Sequence, residues 1–315
     1  MRIIVTGGSG YKGSVLVPQL LEDGHEIISV DTNWFGDKLN KHERLTKIKC
    51  DIRNIDQIPI SSNVDSIIHL ANIANDPAVE LNANLSWEVN VLAGHQLIDK
   101  AVKYGVKHFI YASSGSVYGI KEEPNVTEDL SLVPISTYNK TKMIAERVFL
   151  SFRDKLSVHC IRPATVCGYS PRMRLDVSVN MLTFQALKNK KMTVFGGSQT
   201  RPNIHIKDIV NVYRHFLENP NLPSGFYNAG FENISILDIA KKIAKRVDSE
   251  IEVSPSNDPR SYRQDSTKLL KTGFSQKFSV SDAIDEIIKS YKSGELVDND
   301  QYYTVKWMKE LGLAN

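Results

Sequence analysis

Short apolar runs alternate with longer amphipathic stretches in the first half of the chain. The apolar runs are rich in β-branched residues and occupy residues 2–6, 26–30, 66–70, 107–112 and 157–161. Nearly continuous apolar character over so short a length predicts strands that are covered on both faces. The stretches between them have helical periodicity and include residues 14–22, 86–104 and 138–152. This repeated strand-then-helix order predicts parallel strands joined by crossovers, in a doubly wound α/β sheet.

The pattern changes after Pro163, where polar stretches separate shorter elements. Helical periodicity is clear at residues 177–189, 236–247 and 280–294. We therefore expect a second, smaller α/β unit that begins near residue 165. Part of it, at about residues 205–235, is expected to return to the first sheet.

Composition and charge exclude several classes of function. The 315 residues include 39 Lys and Arg against 36 Asp and Glu, and a net charge of +3 is too close to neutral for a nucleic-acid binder that relies on phosphate contacts. Three widely spaced cysteines argue against a disulfide framework or a metal site. No apolar run is long enough to span a membrane, and the N-terminus leads directly into a strand. We expect a cytoplasmic protein without nucleic-acid or membrane partners.

A glycine-rich segment, TGGSGYKG at residues 6–13, lies between the first predicted strand and the first helix. Glycines at this spacing allow a tight turn and let backbone N–H groups approach a pyrophosphate at a helix N-terminus. A tight turn without a ligand is the simpler interpretation, but this position is where dinucleotide sites begin. The predicted cofactor contacts here are Gly7, Gly10, Tyr11, Lys12 and Gly13.

Asp31 ends the second predicted strand, 18 residues after Gly13. A carboxylate at this position accepts hydrogen bonds from the hydroxyls of an adenosine ribose and repels a 2′-phosphate. Asp31 therefore favours NAD over NADP as the cofactor.

Tyr138 and Lys142 lie four residues apart, on one face of a predicted helix. The same spacing occurs at Tyr302 and Lys306, so spacing alone is not specific. What distinguishes the first pair is Ser114, which follows the strand at residues 107–112. Ligands of such sheets bind at the carboxyl ends of the strands, where a serine hydroxyl and the tyrosine of the next helix can meet one substrate carbon.

Together, the glycine loop, Asp31, Ser114 and the Tyr138–Lys142 pair resemble the extended short-chain dehydrogenase/reductase family, in the branch of NAD-dependent epimerases and dehydratases that act on nucleotide-linked sugars. Further segments that carry the resemblance are residues 51–53, 69–72, 90, 195–201, 205–208, 265–268 and 273–274. The resemblance implies a Rossmann-type doubly wound parallel sheet that binds NAD, in residues 1–165. It also implies a smaller C-terminal substrate-binding α/β domain, in residues 166–315.

By this resemblance Tyr138 is the general base, and its pKa must fall from the usual value of about 10 to work at neutral pH. Lys142 would favour the phenolate by Coulomb attraction and hold the nicotinamide ribose, and Ser114 would hydrogen-bond the sugar oxygen. The other implied cofactor contacts are Asn33, Asp51, Ile52, Leu70, Ala71 and Asn90. The implied substrate contacts are Ser114, Ser116, Thr165, Asn180, Arg201 and Arg260.

The resemblance implies hydride abstraction from C4 of a nucleotide-diphosphate sugar and leaves two endings open. A C4 epimerase returns the hydride to the other face, whereas a 4-dehydrogenase releases the keto sugar, as relatives that oxidise a GDP-linked heptose do in bacterial surface-polysaccharide biosynthesis. A 4,6-dehydratase is disfavoured, because Gly115 and Ser116 stand where those enzymes have an Asp-Glu pair. A non-catalytic NAD-binding regulator is the alternative, although such proteins typically lose the tyrosine or the lysine.

The resemblance also implies a homodimer. Relatives pair two helices of each subunit into a four-helix interface. The matching helices in this chain are those predicted at residues 86–104 and 138–152.

Overall fold

The core of the computed structural model, which describes residues 1–256 and 261–314, is a seven-stranded parallel sheet. Its strands are β1 (Arg2–Thr6), β2 (Glu26–Asp31), β3 (Leu45–Lys49), β4 (Ser66–His69), β5 (His108–Ala112), β6 (Ser157–Pro163) and β10 (Gly225–Ala229). The spatial order is β10-β6-β5-β4-β1-β2-β3, and each neighbouring pair is parallel. The prediction of a Rossmann-type doubly wound sheet is confirmed. The strand order reverses between β1 and β4, which is where such sheets bind their ligands.

Helices cover both faces of this sheet and build the second part of the molecule. They are α1 (Gly13–Glu22), α2 (Asp76–Glu80), α3 (Ala83–Trp87), α4 (Ala93–Lys103), α5 (Thr137–Leu150), α6 (Ser178–Asn189), α7 (Ile206–Glu218), α8 (Ile236–Ala244), α9 (Thr267–Leu270), α10 (Val280–Lys292) and α11 (Thr304–Glu310). Among the residues described, no helix combines the length and apolar character that crossing a membrane requires.

Two local features differ from the sequence pattern. β3 was not among the apolar runs, because it is an edge strand with mostly exposed side chains and its sequence is half polar. The helix expected at residues 86–104 instead contains a π-helical turn, Glu88–Leu92, between α3 and α4. This turn buries Asn90, whose amide bonds both the N–H and the carbonyl of Ile73.

The second half adds two small sheets next to the main one. One contains β7 (Thr165–Cys167), β9 (Thr200–His205) and β11 (Glu232–Ser235), and the other pairs β8 (Lys191–Phe195) with β12 (Glu250–Ser254). Helices α6, α8 and α10 pack beside them. β10 leaves this half and pairs in parallel with β6, so the chain crosses back to the main sheet after residue 165.

A buried ion pair fixes α5 against the main sheet. Arg162, in β6, donates two hydrogen bonds to the carboxylate of Glu146, at 2.9 and 2.8 Å, and both side chains are at most 1% exposed. Arg162 also donates to the hydroxyl of Tyr118 at 2.7 Å. Glu146 lies one helical turn after Lys142, so the pair fixes the orientation of the helix that carries the Tyr138–Lys142 motif.

Candidate active site

A cavity of about 500 Å³ opens at the carboxyl ends of the main-sheet strands. The glycine loop, the ends of β2, β4, β5 and β6, and residues 72–77 form its walls on the sheet side. Residues 163–166 and 172–178, Arg201 and α11 contribute the opposite wall. The cavity therefore lies between the two halves of the chain, at the edge where the sequence predicts the site.

The glycine loop is packed too tightly to accept larger residues. Gly7 has a φ of +75°, and a Cβ added to it would lie 2.7 Å from the backbone nitrogen of Ala71. A Cβ on Gly13 would lie 2.2 Å from the carbonyl oxygen of Gly7. The loop backbone thus lies close to the start of α1 and lines the cavity, which is the cradle that a dinucleotide pyrophosphate requires.

We expect Gly13→Ala to weaken NAD binding by about tenfold or more, because the added methyl forces the Gly7 carbonyl out of its position. Calorimetric titration with NAD measures the effect. The control is Gly105→Ala, at a glycine that lies outside the cavity. An added Cβ there meets no atom within 4 Å, but the positive φ of +78° strains the backbone of an alanine. The control should lower stability only; equal NAD affinities for both variants would contradict the steric account.

Asp31 is held at the end of β2 by two backbone donors. The N–H groups of Ser9 and Asn33 bond its two carboxylate oxygens at 3.0 and 2.8 Å. Burial raises the pKa of Asp31 despite these bonds. Asn33 closes this turn with a φ of +56°, and its side chain does not line the cavity. The carboxylate of Asp31 faces the cavity beside the glycine loop, as a ribose acceptor requires.

We expect Asp31→Ala to lower the preference for NAD over NADP by about ten- to hundredfold, since a charged acceptor for the ribose and a repulsion for a 2′-phosphate are both lost. The dissociation constants of the two dinucleotides give the ratio directly. Asp23→Ala serves as the control, because Asp23 follows α1 and pairs with Arg214 outside the cavity. An unchanged ratio for Asp31→Ala would remove this carboxylate as the discriminating group.

The Tyr138–Lys142 pair faces the cavity from the first two turns of α5. The helix begins at Ser136, whose hydroxyl accepts the N–H of Asn139 and donates to Asp76 at 2.6 Å. The ammonium of Lys142 donates to the carbonyl of Ala112 at 2.7 Å. The same ammonium lies 5.9 Å from the ring centre of Tyr138. Ser114, two residues beyond the end of β5, shares a hydrogen bond with the Tyr138 phenol.

Burial controls the ionisation of both groups. It raises the pKa of Tyr138 to about 12, while Arg174 and the bond from Ser114 act in the opposite direction. Burial also lowers the pKa of Lys142 well below its usual value, and the neighbouring charge of Lys12 adds to this effect. The pKa of Tyr138 thus lies above its usual value, opposite to the fall that the resemblance implies. Further positive charge in the cavity would stabilise the phenolate form of Tyr138.

The structure brings many of the predicted residues to one cavity. Beyond the glycine loop and Asp31, the wall includes Asp51, Ile52, Leu70, Ala71, Ser114, Ser116, Tyr138, Lys142, Thr165 and Arg201. The hydroxyl oxygens of Ser114 and Ser116 lie 2.8 Å apart, within hydrogen-bond distance. The serines therefore form one polar patch beside the phenol of Tyr138.

Two of the predicted contacts are buried behind the wall. Asn180 donates its amide to the Tyr11 hydroxyl and the Arg174 carbonyl, each at 3.0 Å, and is fully buried. The side-chain amide of Asn90 bonds the backbone N–H and the carbonyl of Ile73. Both asparagines therefore support residues that line the cavity, without lining it themselves. Arg260 lies outside the described residues.

The second Tyr-x-x-x-Lys sequence does not form a comparable pair. Tyr302 belongs to a short 3-10 turn before α11, so it does not share a helix with Lys306. The ammonium of Lys306 is exposed and pairs with Asp300 at 2.6 Å. This arrangement is a surface ion pair outside the cavity.

Several cavity residues were not predicted from the sequence. Asp76 and Arg172 line the wall, as do Trp34 and Phe35 after β2 and Met308 in α11. Their positions depend on contacts between distant segments, such as the bond from the Trp307 indole to the Trp34 carbonyl at 2.6 Å. The only signal in the sequence was the concentration of charged residues at positions 172–176.

Comparisons with known proteins agree with this site. The chain is 31% identical to the uncharacterized UDP-glucose epimerase YtcB of Bacillus subtilis over 260 residues, which are 77% of this chain and 81% of the relative. It is 29% identical to UDP-glucuronic acid decarboxylase 1 of Danio rerio, over 96% of this chain and 75% of the relative. The structure of UDP-glucuronic acid 4-epimerase from Bacillus cereus, with UDP-glucuronic acid and NAD bound, superposes with a TM-score of 0.82 at 27% identity, over 93% of this chain and 99% of that one.

The family assignment rests on a match to a family model that covers more than half of the chain. The model of the NAD dependent epimerase/dehydratase family matches residues 3–230, which include the glycine loop, Ser114 and the Tyr138–Lys142 pair. The predictions of an enzyme of this type and of NAD as its cofactor are confirmed. The chain belongs to the NAD dependent epimerase/dehydratase family.

Proposed function

We propose that this protein oxidises the C4 hydroxyl of a nucleotide-diphosphate sugar to a 4-keto sugar. The observation that carries the proposal is the convergence of Ser114, Tyr138 and Lys142 in the cavity that the glycine loop also lines. NAD, when bound, supplies the hydride acceptor for this oxidation. The glycine loop and Asp31 would hold its pyrophosphate and its adenosine ribose.

The proton of the C4 hydroxyl passes to Tyr138 in this proposal. Ser114 donates a hydrogen bond to the same sugar oxygen and so orients it toward the phenol. Lys142 keeps its ammonium beside the phenol through the bond to Ala112, and its charge favours the phenolate that accepts the proton. The nearly complete burial of Lys142 excludes water and so strengthens this attraction, while it also disfavours the charged form of each group taken alone.

A UDP-linked sugar is the first substrate class to test, because the relatives named above act on or bind UDP-sugars by their names. Ser116 and Thr165 would contact the sugar, since both line the cavity near Ser114. Arg201 would contact the substrate diphosphate from β9. Asp76, held by the Ser136 hydroxyl, adds a carboxylate close to the Tyr138 end of the cavity.

Two endings of the reaction are proposed as alternatives, C4 epimerisation or release of the keto sugar in a bacterial surface-polysaccharide pathway. Dehydration is disfavoured, because the residues after Ser114 are Gly115, which has no side chain, and Ser116, whose hydroxyl bonds Ser114. Proton NMR of the protein with NAD and candidate UDP-sugars in heavy water distinguishes the endings. Inversion at C4 identifies an epimerase, and a keto product identifies a dehydrogenase. No conversion of any UDP-, GDP-, dTDP- or CDP-sugar would refute the proposed oxidation.

We also propose a homodimer formed through α4 and α5. Leu92, the last residue of the π-helical turn that leads into α4, is 60% exposed, and Ile144, on α5, is 37% exposed. Apolar side chains exposed on two neighbouring helices are typical of an interface. Sedimentation velocity of the wild type and of Leu92→Lys with Ile144→Lys tests this proposal, which predicts a dimer and a monomer respectively.

A further inference from the structure

Arg172 places a buried guanidinium in the cavity wall without a carboxylate partner. Its side chain is 4% exposed. It donates to the carbonyl of Met173 and to the hydroxyl of Thr304, each at 3.2 Å. In the part of the chain that the structure describes, no carboxylate pairs with it. A guanidinium has five N–H donors, so these two bonds leave capacity for a further acceptor.

The neighbouring Arg174, unlike Arg172, is paired with a carboxylate. Its guanidinium forms two bonds with the carboxylate of Asp176, at 2.9 and 3.1 Å, so its charge is neutralised within the protein. Arg172 forms no such pair with a described residue: the carboxylates of Asp176 and Asp31 act on it only from beyond ion-pair distance, and burial together with the charge of Arg174 lowers its pKa. A buried charge that no bonded partner neutralises is costly. Because Arg172 borders a ligand cavity, an anionic ligand group would supply a directly bonded counter-charge.

The residues around Arg172 indicate which end of the cavity its guanidinium lines. Its guanidinium stacks 4.0 Å from the ring centre of Phe35, which follows Asp31 in the chain by four residues. The carboxylate charge of Asp31 acts on it, and the phenol of Tyr11, which burial keeps neutral, lies near it. Both residues belong to the cofactor side of the cavity, whereas Ser116 and Thr165 lie on the substrate side.

We propose that Arg172 binds the diphosphate of the bound dinucleotide, as a side-chain complement to the backbone N–H groups of the glycine loop. A planar guanidinium suits this ligand, because it donates two parallel hydrogen bonds to phosphate oxygens. The sugar nucleotide in the same cavity carries a diphosphate too, so the test must separate the two sources.

Thr304 orients this guanidinium from α11. Its hydroxyl accepts the Nη2 donor of Arg172, and the helix is tied to the loop after β2 by the bond from Trp307 to Trp34. Thr304 is thus a positioning residue. The C-terminal helix, 132 residues after Arg172, thereby becomes part of the cofactor site.

Titration of the full-length chain, freed of bound nucleotide, with adenosine, ADP, NAD and UDP tests the proposal. Arg172→Gln should weaken ADP and NAD by about ten- to hundredfold and leave adenosine and UDP within about twofold. Arg172→Lys should restore part of the loss, since it keeps the charge without the planar fork. Thr304→Val should weaken ADP and NAD by a few-fold and leave adenosine and UDP unchanged. Arg246→Gln is the control, because it makes the same change at an arginine that pairs with Asp285 outside the cavity.

Three results would overturn the proposal. Unchanged ADP affinity in Arg172→Gln would leave the guanidinium without a phosphate ligand. Equal losses for adenosine and ADP would show that Arg172 only shapes the wall. A loss confined to UDP would assign the guanidinium to the sugar nucleotide. Because every titration measures binding without turnover, none of these results depends on the proposed C4 oxidation.

Discussion

Tyr138→Phe is expected to lower kcat for a UDP-sugar by about 10²–10⁴-fold while NAD affinity stays within about threefold. The phenylalanine keeps the ring that packs near Lys142, but it removes the hydroxyl oxygen that is placed beside Ser114 to accept the substrate proton. Because the ring remains, the cavity and the glycine loop should keep their shape. Steady-state rates and the NAD content of the purified protein measure the two effects.

The chain supplies its own control for this prediction. Tyr302→Phe changes the same atom in the second Tyr-x-x-x-Lys sequence, which lies in a turn outside the cavity. We expect its kcat to equal that of the wild type. If Tyr138→Phe retained wild-type kcat, the assignment of Tyr138 as the base would fail.

Arg162→Met should destabilise the fold by about 3–5 kcal/mol, because the carboxylate of Glu146 is then left buried without its partner. The pair is almost fully buried, and its two hydrogen bonds satisfy charges that water cannot reach. The midpoint of urea unfolding, read by circular dichroism, gives the change in the free energy of unfolding.

Two further variants separate the buried charge from simple loss of packing. Arg162→Met combined with Glu146→Leu should recover a large part of the loss, since no charge remains unpaired. Arg246→Met removes an arginine whose partner Asp285 is 57% exposed, and it should cost less than about 1 kcal/mol. Equal costs for Arg162→Met and Arg246→Met would contradict the role of the buried pair as the anchor of α5.

The main sheet could be predicted because the residue types of each buried strand reflect its burial. β1, β4 and β5 are buried on both faces, so their central residues are apolar. β3 lacks this apolar pattern, because its edge position leaves polar side chains on the surface. The π-helical turn at Glu88–Leu92 could not be predicted either, because it depends on hydrogen bonds between the Asn90 amide and the backbone of Ile73.

The same distinction between local and distant contacts applies to the residues of the site. Residues set by local geometry, such as the glycine loop and the Tyr138–Lys142 spacing on one helix, could be read from the sequence. Asn180 could not, because an asparagine in α6 gives no sign that it bonds Tyr11, 169 residues away. The contact between Arg172 and Thr304 spans the junction between the cavity wall and the C-terminal helix and has no local signature either.

The central claim is that Ser114, Tyr138 and Lys142 act together on the carbon that bears the C4 hydroxyl. A UDP-sugar that carries deuterium at C4 tests it directly, in a single turnover of the NAD-loaded protein followed by quenching and mass spectrometry of the released dinucleotide. The account predicts dinucleotide that carries one deuterium in the wild type, transiently at early quench times if the sugar is epimerised and persistently if the keto sugar is released, and none at any time in Tyr138→Phe. Conversion of the sugar by the wild type with the dinucleotide unlabelled throughout would contradict it.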